Sequence, residues 1–129
     1  MGTQQLLLII VGTFVMMLAV AFSFDLFATQ SSASNRDALS NELIHEAALA
    51  QQWHKKPAIF SGGGNQTYVG YQLSKTDNMD GKFSIRTQDA THLEIEAEGT
   101  ELGKDGINKV KLVIRVVPDS SVSYVNELN

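Results

Sequence analysis

The chain has no cysteine, only two prolines and few charges. Without cysteine there is no disulfide, no thiolate zinc site and no thiol nucleophile. Pro57 and Pro118 alone must interrupt a hydrogen-bond ladder. Charged side chains make up 19% of the 129 residues, with 10 Lys+Arg against 14 Asp+Glu and a formal charge of -4. The longest basic run is Lys55-Lys56. Nucleic-acid binding draws most of its affinity from neutralised phosphates, so this balance argues against such a partner. The length suits one domain and leaves no room for two sizeable cores.

What charge there is avoids the N-terminus. Residues 1–28 hold 20 apolar residues, and residues 29–129 hold 36. The mean hydropathy of -0.05 is therefore a cancellation between two unlike segments. Residues 6–22 are interrupted only by Gly12 and Thr13, and with Ser23 and Asp25 tolerated the run reaches Ala28. Asp25 is the one charged side chain before Arg36. At a rise of about 1.5 Å per residue, a bilayer core of about 30 Å needs roughly 20 residues, so the run is long enough to span. A cleavable signal peptide would carry basic residues ahead of a shorter apolar core. Nothing basic precedes Leu6, although Ala19-Val20-Ala21 fits a small-x-small cleavage pattern. A buried core helix would need a larger protein around it. An N-myristoyl signal fails because Leu6 stands where Ser or Thr is wanted.

A second helical pattern follows without a breaker. Leu39, Leu43, Ala47, Ala50 and Trp53 or His54 recur at spacings of three or four and form one apolar stripe. Glu42, Glu46, Gln51 and Gln52 are expected beside or opposite it. The simplest reading is one continuous helix from about residue 4 to about residue 54, some 75 Å long. The competing reading is two helices hinged at Ser31-Ser32, because Ser and Asn form helices poorly. Pro57 should end the helix.

The remainder reads as sheet. Residues 68–73 are expected to place Val69, Tyr71 and Leu73 on one face. Residues 82–86 place Phe83 and Ile85 inward. Residues 92–98 place Leu93, Ile95 and Ala97 inward, and residues 110–117 do the same with Val110, Leu112, Ile114 and Val116. Alternation of this kind marks strands with one buried face. Asp80-Gly81 and Asp105-Gly106 are turn signals, and residues 121–125 suggest a short edge strand. Glu94, Glu96 and Glu98 face outward on the third strand, so basic neighbours such as Lys82 and Arg86 or Lys111 and Arg115 are expected across from them. The sheet needs a cover, and the available stripe is the one from Leu39 to Trp53. The expected fold is α+β: a long N-terminal helix packed on a small four-stranded antiparallel sheet. Its parts are an apolar half-helix (1–28), an amphipathic half-helix (29–56) and a β head (57–129).

Catalytic patterns fail one by one. His45-Glu46 opens an H-E-x-x-H pattern, but Leu49 stands in place of the second histidine, so no metal site is expected. Gly62-Gly63-Gly64 lacks the Lys and Ser/Thr of a phosphate loop and reads as a flexible connector. The three glutamates read as a solvated row rather than paired catalytic carboxylates. Asp77-Asn78-Met79-Asp80-Gly81 is too short for a calcium loop. Asn65-Gln66-Thr67 matches the N-glycosylation acceptor and marks an exposed loop. No enzyme activity, cofactor or small-molecule substrate is expected.

An N-terminal helix, apolar and then amphipathic, followed by a small antiparallel sheet resembles the type IV pilin and pseudopilin family. The residues that carry the likeness are Gln4-Gln5-Leu6-Leu7-Leu8-Ile9-Ile10-Val11-Gly12 and the apolar run to Phe22. The resemblance implies a subunit first held in the inner membrane by its apolar half-helix. The pilus assembly machinery then extracts it, and the apolar halves pack as the core of an extracellular helical filament, with a membrane-anchored precursor pool. It assigns self-assembly to Gln4, Gln5, Leu6, Leu7, Ile9, Ile10, Gly12, Phe14, Met17, Leu18, Phe22 and Asp25. The family usually has glutamate as the fifth residue of the mature chain. If Met1 is the mature N-terminus, that place holds Gln5, which can hydrogen-bond a neighbouring α-amino group but cannot neutralise it. A short basic leader ending in glycine also belongs to the family; a minimal one would end at Gly2. A minor pseudopilin of a secretion or DNA-uptake machine, or a single-pass membrane-anchored binding domain, are the alternative readings. The disulfide that often pins the C-terminal loop of pilins cannot form here.

Overall fold

A computed structural model describes residues 2–118 and 124–128. The chain divides into two compact units, Met1–Ser31 and Ser32–Asn129. Helix α1 runs from Gly2 to Lys55, so the helical backbone is unbroken through Ser31 and Ser32. All described residues of the first unit are helical and exposed.

The second unit is a helix on a sheet, the α+β arrangement expected. The sheet has the order β1 (Asp77–Asn78), β2 (Gly81–Gln88), β3 (Leu93–Leu102), β4 (Lys109–Val116) and β5 (Tyr124–Glu127). Every neighbouring pair is antiparallel. β1 is a two-residue bridge at one edge, and the other four strands form the body. The part of the expected 121–125 strand that precedes Tyr124 lies outside the described residues.

The core sits between α1 and one sheet face. Leu39, Leu43, Ala47 and Ala50 cluster with Phe83, Leu93, Ile95, Ala97, Val110, Leu112, Ile114 and Val116, and Trp53 packs half-buried against them. Each fully buried Leu or Ile contributes about 1.5–3 kcal/mol relative to exposure. On the outer face, Glu98 stands in register with both Lys82 and Lys111, and Glu94 with Arg115. The Lys111 ammonium lies 3.4 Å from Glu98 and 3.8 Å from Glu96. The acidic strand thus lies between two basic ones, although such partly exposed pairs are worth only about 0.2–1 kcal/mol each.

Three expectations need correction. Residues 68–73 are not a strand. Tyr71 N–H donates to the Tyr68 carbonyl at 3.1 Å, and Gly70 takes φ +100°, which breaks the extended run. Tyr68 and Tyr71, three apart, point inward, whereas Val69 is 58% exposed. The Gln88 carboxamide donates to the Tyr68 and Tyr71 carbonyls at 2.9 and 2.8 Å, supplying the partners that a strand ladder would have given. Second, Glu46 does not sit outside the stripe: it is 2% exposed.

Third, the triglycine is a packed cap and not a flexible connector. The N–H groups of Gly63, Gly64 and Asn65 donate to the carbonyls of Trp53, Lys56 and His54 at 2.9, 2.9 and 2.7 Å. These bonds satisfy carbonyls that a helix end leaves without a partner. A Cβ on Gly63 would collide with the Thr67 carbonyl and meet the Trp53 ring at 3.0 Å.

Gly63→Ala is therefore expected to destabilise the head by about 1–3 kcal/mol through overpacking. Denaturant unfolding followed by Trp53 fluorescence measures this, and an unchanged midpoint would contradict the packed cap.

Candidate functional site

The apolar half of α1 is the feature with functional content. Its most apolar 18-residue window has a mean hydropathy of 2.7, and none of that window is buried within the chain. The helix is long and apolar enough to cross a membrane. Leu6, Leu7, Ile9, Ile10, Phe14, Met17, Leu18 and Phe22 are all exposed, as are Gln4, Gln5, Gly12 and Asp25. Its hydroxyls are satisfied locally. Thr13 donates to the Ile9 carbonyl, Ser23 to Ala19 at 2.8 Å and Thr29 to Asp25 at 2.9 Å. Back-bonding of this kind lets a hydroxyl sit in an apolar medium without an outside partner.

Four of the small and polar residues of this segment align, while Asp25 and Ala21 lie on the other side. At about 100° per residue, Gln5, Gly12, Ala19 and Ser23 fall within about 40° of one another, with Leu7, Phe14 and Ala21 roughly opposite. Reading the segment only for its length misses this face; the seven-residue spacing of Gln5, Gly12 and Ala19 is the signal for it. A Cβ on Gly12 would meet nothing within 4 Å, so the chain itself does not require glycine there.

No protein-family model matches the chain, and no curated protein or solved structure matches it.

The head carries polar groups that fasten α1. The Asn35 amide, 7% exposed, donates to the Asp80 carbonyl at 2.7 Å and accepts from Glu101 N–H at 3.4 Å. Gly99 leaves room for it, since a Cβ there would strike the Asn35 carbonyl oxygen. The buried Glu46 carboxylate accepts from the Tyr71 hydroxyl at 2.9 Å, from Ser74 N–H at 3.3 Å and from the Ser74 hydroxyl. These bonds hold the irregular segment around residues 71–74 against the helix. Burial, and then the bond to Glu46 and its charge, push the Tyr71 hydroxyl well above its ordinary ionisation range. His54, 2% exposed, stacks on Tyr68 with ring centroids 4.5 Å apart.

Elsewhere, Glu94, Glu96 and Glu98 lie on the outer face of β3 beside Lys111 and do not converge on a cleft. Among the described residues, no group of three His, Cys, Asp or Glu side chains could hold a metal ion. The groove beside α1 lined by Asn41, Glu42, His45, Lys75 and Asp80 is shallow and open. Asn35 and Glu46 escaped the sequence reading as buried groups, yet each continues the three-or-four spacing of the stripe, which His54 was expected to share with Trp53.

Two outcomes test these fastenings. Glu46→Ala leaves the buried Tyr71 hydroxyl without its acceptor, loses the two bonds from Ser74 and should cost about 1–3 kcal/mol in denaturant unfolding. The folded head keeps the Tyr71 proton, whereas the unfolded chain loses it near about pH 10. The stability from Tyr71 is therefore complete below that value and is lost as pH rises beyond it. Tyr71→Phe should flatten that alkaline decline; an equally steep decline in the variant would count against the buried Tyr71–Glu46 contact.

Proposed function

We propose that this chain is the structural subunit of a type IV pilus-like extracellular filament, self-assembling through the apolar half of α1. The observation that carries the reading is a helical segment with no apolar cover of its own, continuous with a helix fastened into a folded head. Membrane insertion covers the segment before assembly. Leaving the membrane exposes about 1.5–3 kcal/mol per large side chain, which only burial against other copies offsets. A repeated contact between unlike faces, without closure, generates a helical fibre.

The face of Gln5, Gly12, Ala19 and Ser23 supports close approach of neighbouring helices, because small residues let backbones draw together. Gln5 would donate and accept hydrogen bonds within the core but leave a neighbouring α-amino charge unneutralised. The head's role is structural rather than catalytic, and its outer face, acidic between basic strands, is the surface that the fibre presents. A single-pass membrane-anchored domain is the second reading, favoured by the membrane-spanning length and by the locally satisfied Thr13 and Ser23.

Shearing intact cells is expected to release this chain as thin fibres visible by electron microscopy. Gly12→Leu should reduce the fibre yield at least about tenfold by holding neighbouring helices apart, with membrane levels of the chain unchanged. Recovery of the native chain only as a detergent-solubilised monomer, or full fibre yield from the variant, would contradict assembly through this face.

A further inference from the structure

Unlike Asn35 and Glu46, the buried histidine near the C-terminal end of α1 fastens nothing through its side chain. His54 is 2% exposed, and neither ring nitrogen has a hydrogen-bond partner among the described residues. Nδ1 is fully buried. Unpaired buried N–H groups are rarer than unpaired acceptors. The favoured tautomer therefore leaves Nδ1 as a bare lone pair and carries the proton on Nε2. The His54 ring lines a cleft of about 380 Å³ together with Asn65, Gln66, Ala90, Thr91 and Pro118. That volume lies within the roughly 300–1,000 Å³ of ligand clefts. The open groove of His45 and Lys75, by contrast, is lined by no buried side chain.

Main-chain bonds fix the walls of this cleft relative to one another. Asn65 N–H donates to the His54 carbonyl at 2.7 Å, and Gln66 N–H donates to the Gly63 carbonyl at 3.1 Å. Tyr68, whose ring stacks on His54, donates its N–H to the Asp89 carbonyl at 3.2 Å. Asp89 N–H donates in turn to the His92 carbonyl at 2.9 Å, which closes the turn that carries Ala90 and Thr91. The Thr91 hydroxyl lies 3.2 Å from Nδ1 of His92. Helix end, glycine cap and β2–β3 turn thus meet as three anchored pieces.

The lining selects the chemistry of the ligand. Among the described residues no Lys, Arg, Asp or Glu lines the cleft, so an ionic ligand would lose hydration there without gaining a counter-charge. Asp89 and His92, on either side of Ala90 and Thr91, face each other at 3.4 Å. What lines the cleft is two carboxamides, a hydroxyl and an imidazole, with the small apolar surfaces of Ala90 and Pro118. A carboxamide offers donors and an acceptor side by side. Adjacent hydroxyls of a sugar ring each donate and accept, which matches that pattern, and the C–H face of the ring matches Ala90 and Pro118. We infer that this cleft binds one ring of a neutral saccharide, with Nε2–H of His54 donating to a sugar hydroxyl oxygen. The inference rests on the head alone and is independent of fibre formation and of the membrane span.

The chain has only 3 histidines, so isotope labelling of histidine gives a magnetic resonance spectrum simple enough to read the site directly. His45→Gln and His92→Gln assign the other two imidazoles and leave His54 by elimination. The full chain, in phosphatidylcholine nanodiscs that carry no sugar, is titrated with the methyl glycosides of glucose, galactose, mannose and N-acetylglucosamine. At least one of them should shift the His54 ring resonances saturably while those of His45 stay in place. Gln66→Ala and Thr91→Val, both at exposed positions, should each weaken that glycoside about threefold to tenfold, the loss of one hydrogen bond. Trp53 fluorescence checks that each variant folds. No saturable His54 shift with any of the glycosides overturns the inference. So does an equal shift at His45, or binding that neither variant weakens. A tighter response of His54 to acetate or to a dipeptide amide gives the cleft to another class of ligand and overturns the saccharide assignment.

Discussion

Between Leu6 and Phe27 the chain turns sixteen large apolar side chains toward its surroundings. At about 1.5–3 kcal/mol each for full burial, the uncovered surface is worth on the order of 30 kcal/mol. That exceeds the roughly 5–15 kcal/mol by which a typical domain is stable. No rearrangement of a head this small could cover it. A membrane can supply that cover, since the helix is long and apolar enough to cross one. Backbone groups in the segment close on themselves as helix, and the hydroxyls of Thr13 and Ser23 close on the preceding turn.

The head has the complementary property of completing itself. Its stripe of Leu39, Leu43, Ala47 and Ala50 covers the sheet, and at three levels buried polar groups fasten the same helix. Asn35 holds it to the β1–β2 turn and β3, Glu46 to the segment of Tyr71 and Ser74, and the glycine cap closes its C-terminal end. Such fastening does the work that a disulfide does in many small secreted domains, without any cysteine.

The two kinds of element were unequally legible. Periodicity identified α1, its buried stripe and strands β2, β3 and β4, because each depends on neighbours a few residues away. The acidic row of β3 between basic strands followed from charge signs alone. Residues 68–73 were misread because Val69, Tyr71 and Leu73 mimic alternation, while their conformation depends on Gln88 from the far end of β2. Glu46 was placed outside because its partners, Tyr71 and Ser74, come from a segment with no regular structure. Composition cannot distinguish a loose triglycine from a packed one; the Trp53 ring and the Thr67 carbonyl against Gly63 decide it. In the apolar segment, length and hydropathy were plain, whereas the alignment of Gln5, Gly12, Ala19 and Ser23 emerges only when positions are projected around the helix.

Apolar surface without a cover, on a helix tied to a self-sufficient head, is the physical basis for reading the chain as an assembling subunit. A helical reconstruction of fibres formed by this chain tests that claim most directly. The account predicts residues 4–28 of neighbouring copies packed together in the fibre interior, with closest approach along Gln5, Gly12, Ala19 and Ser23. A fibre held together by heads alone, with the apolar segment absent or on the outside, would contradict it.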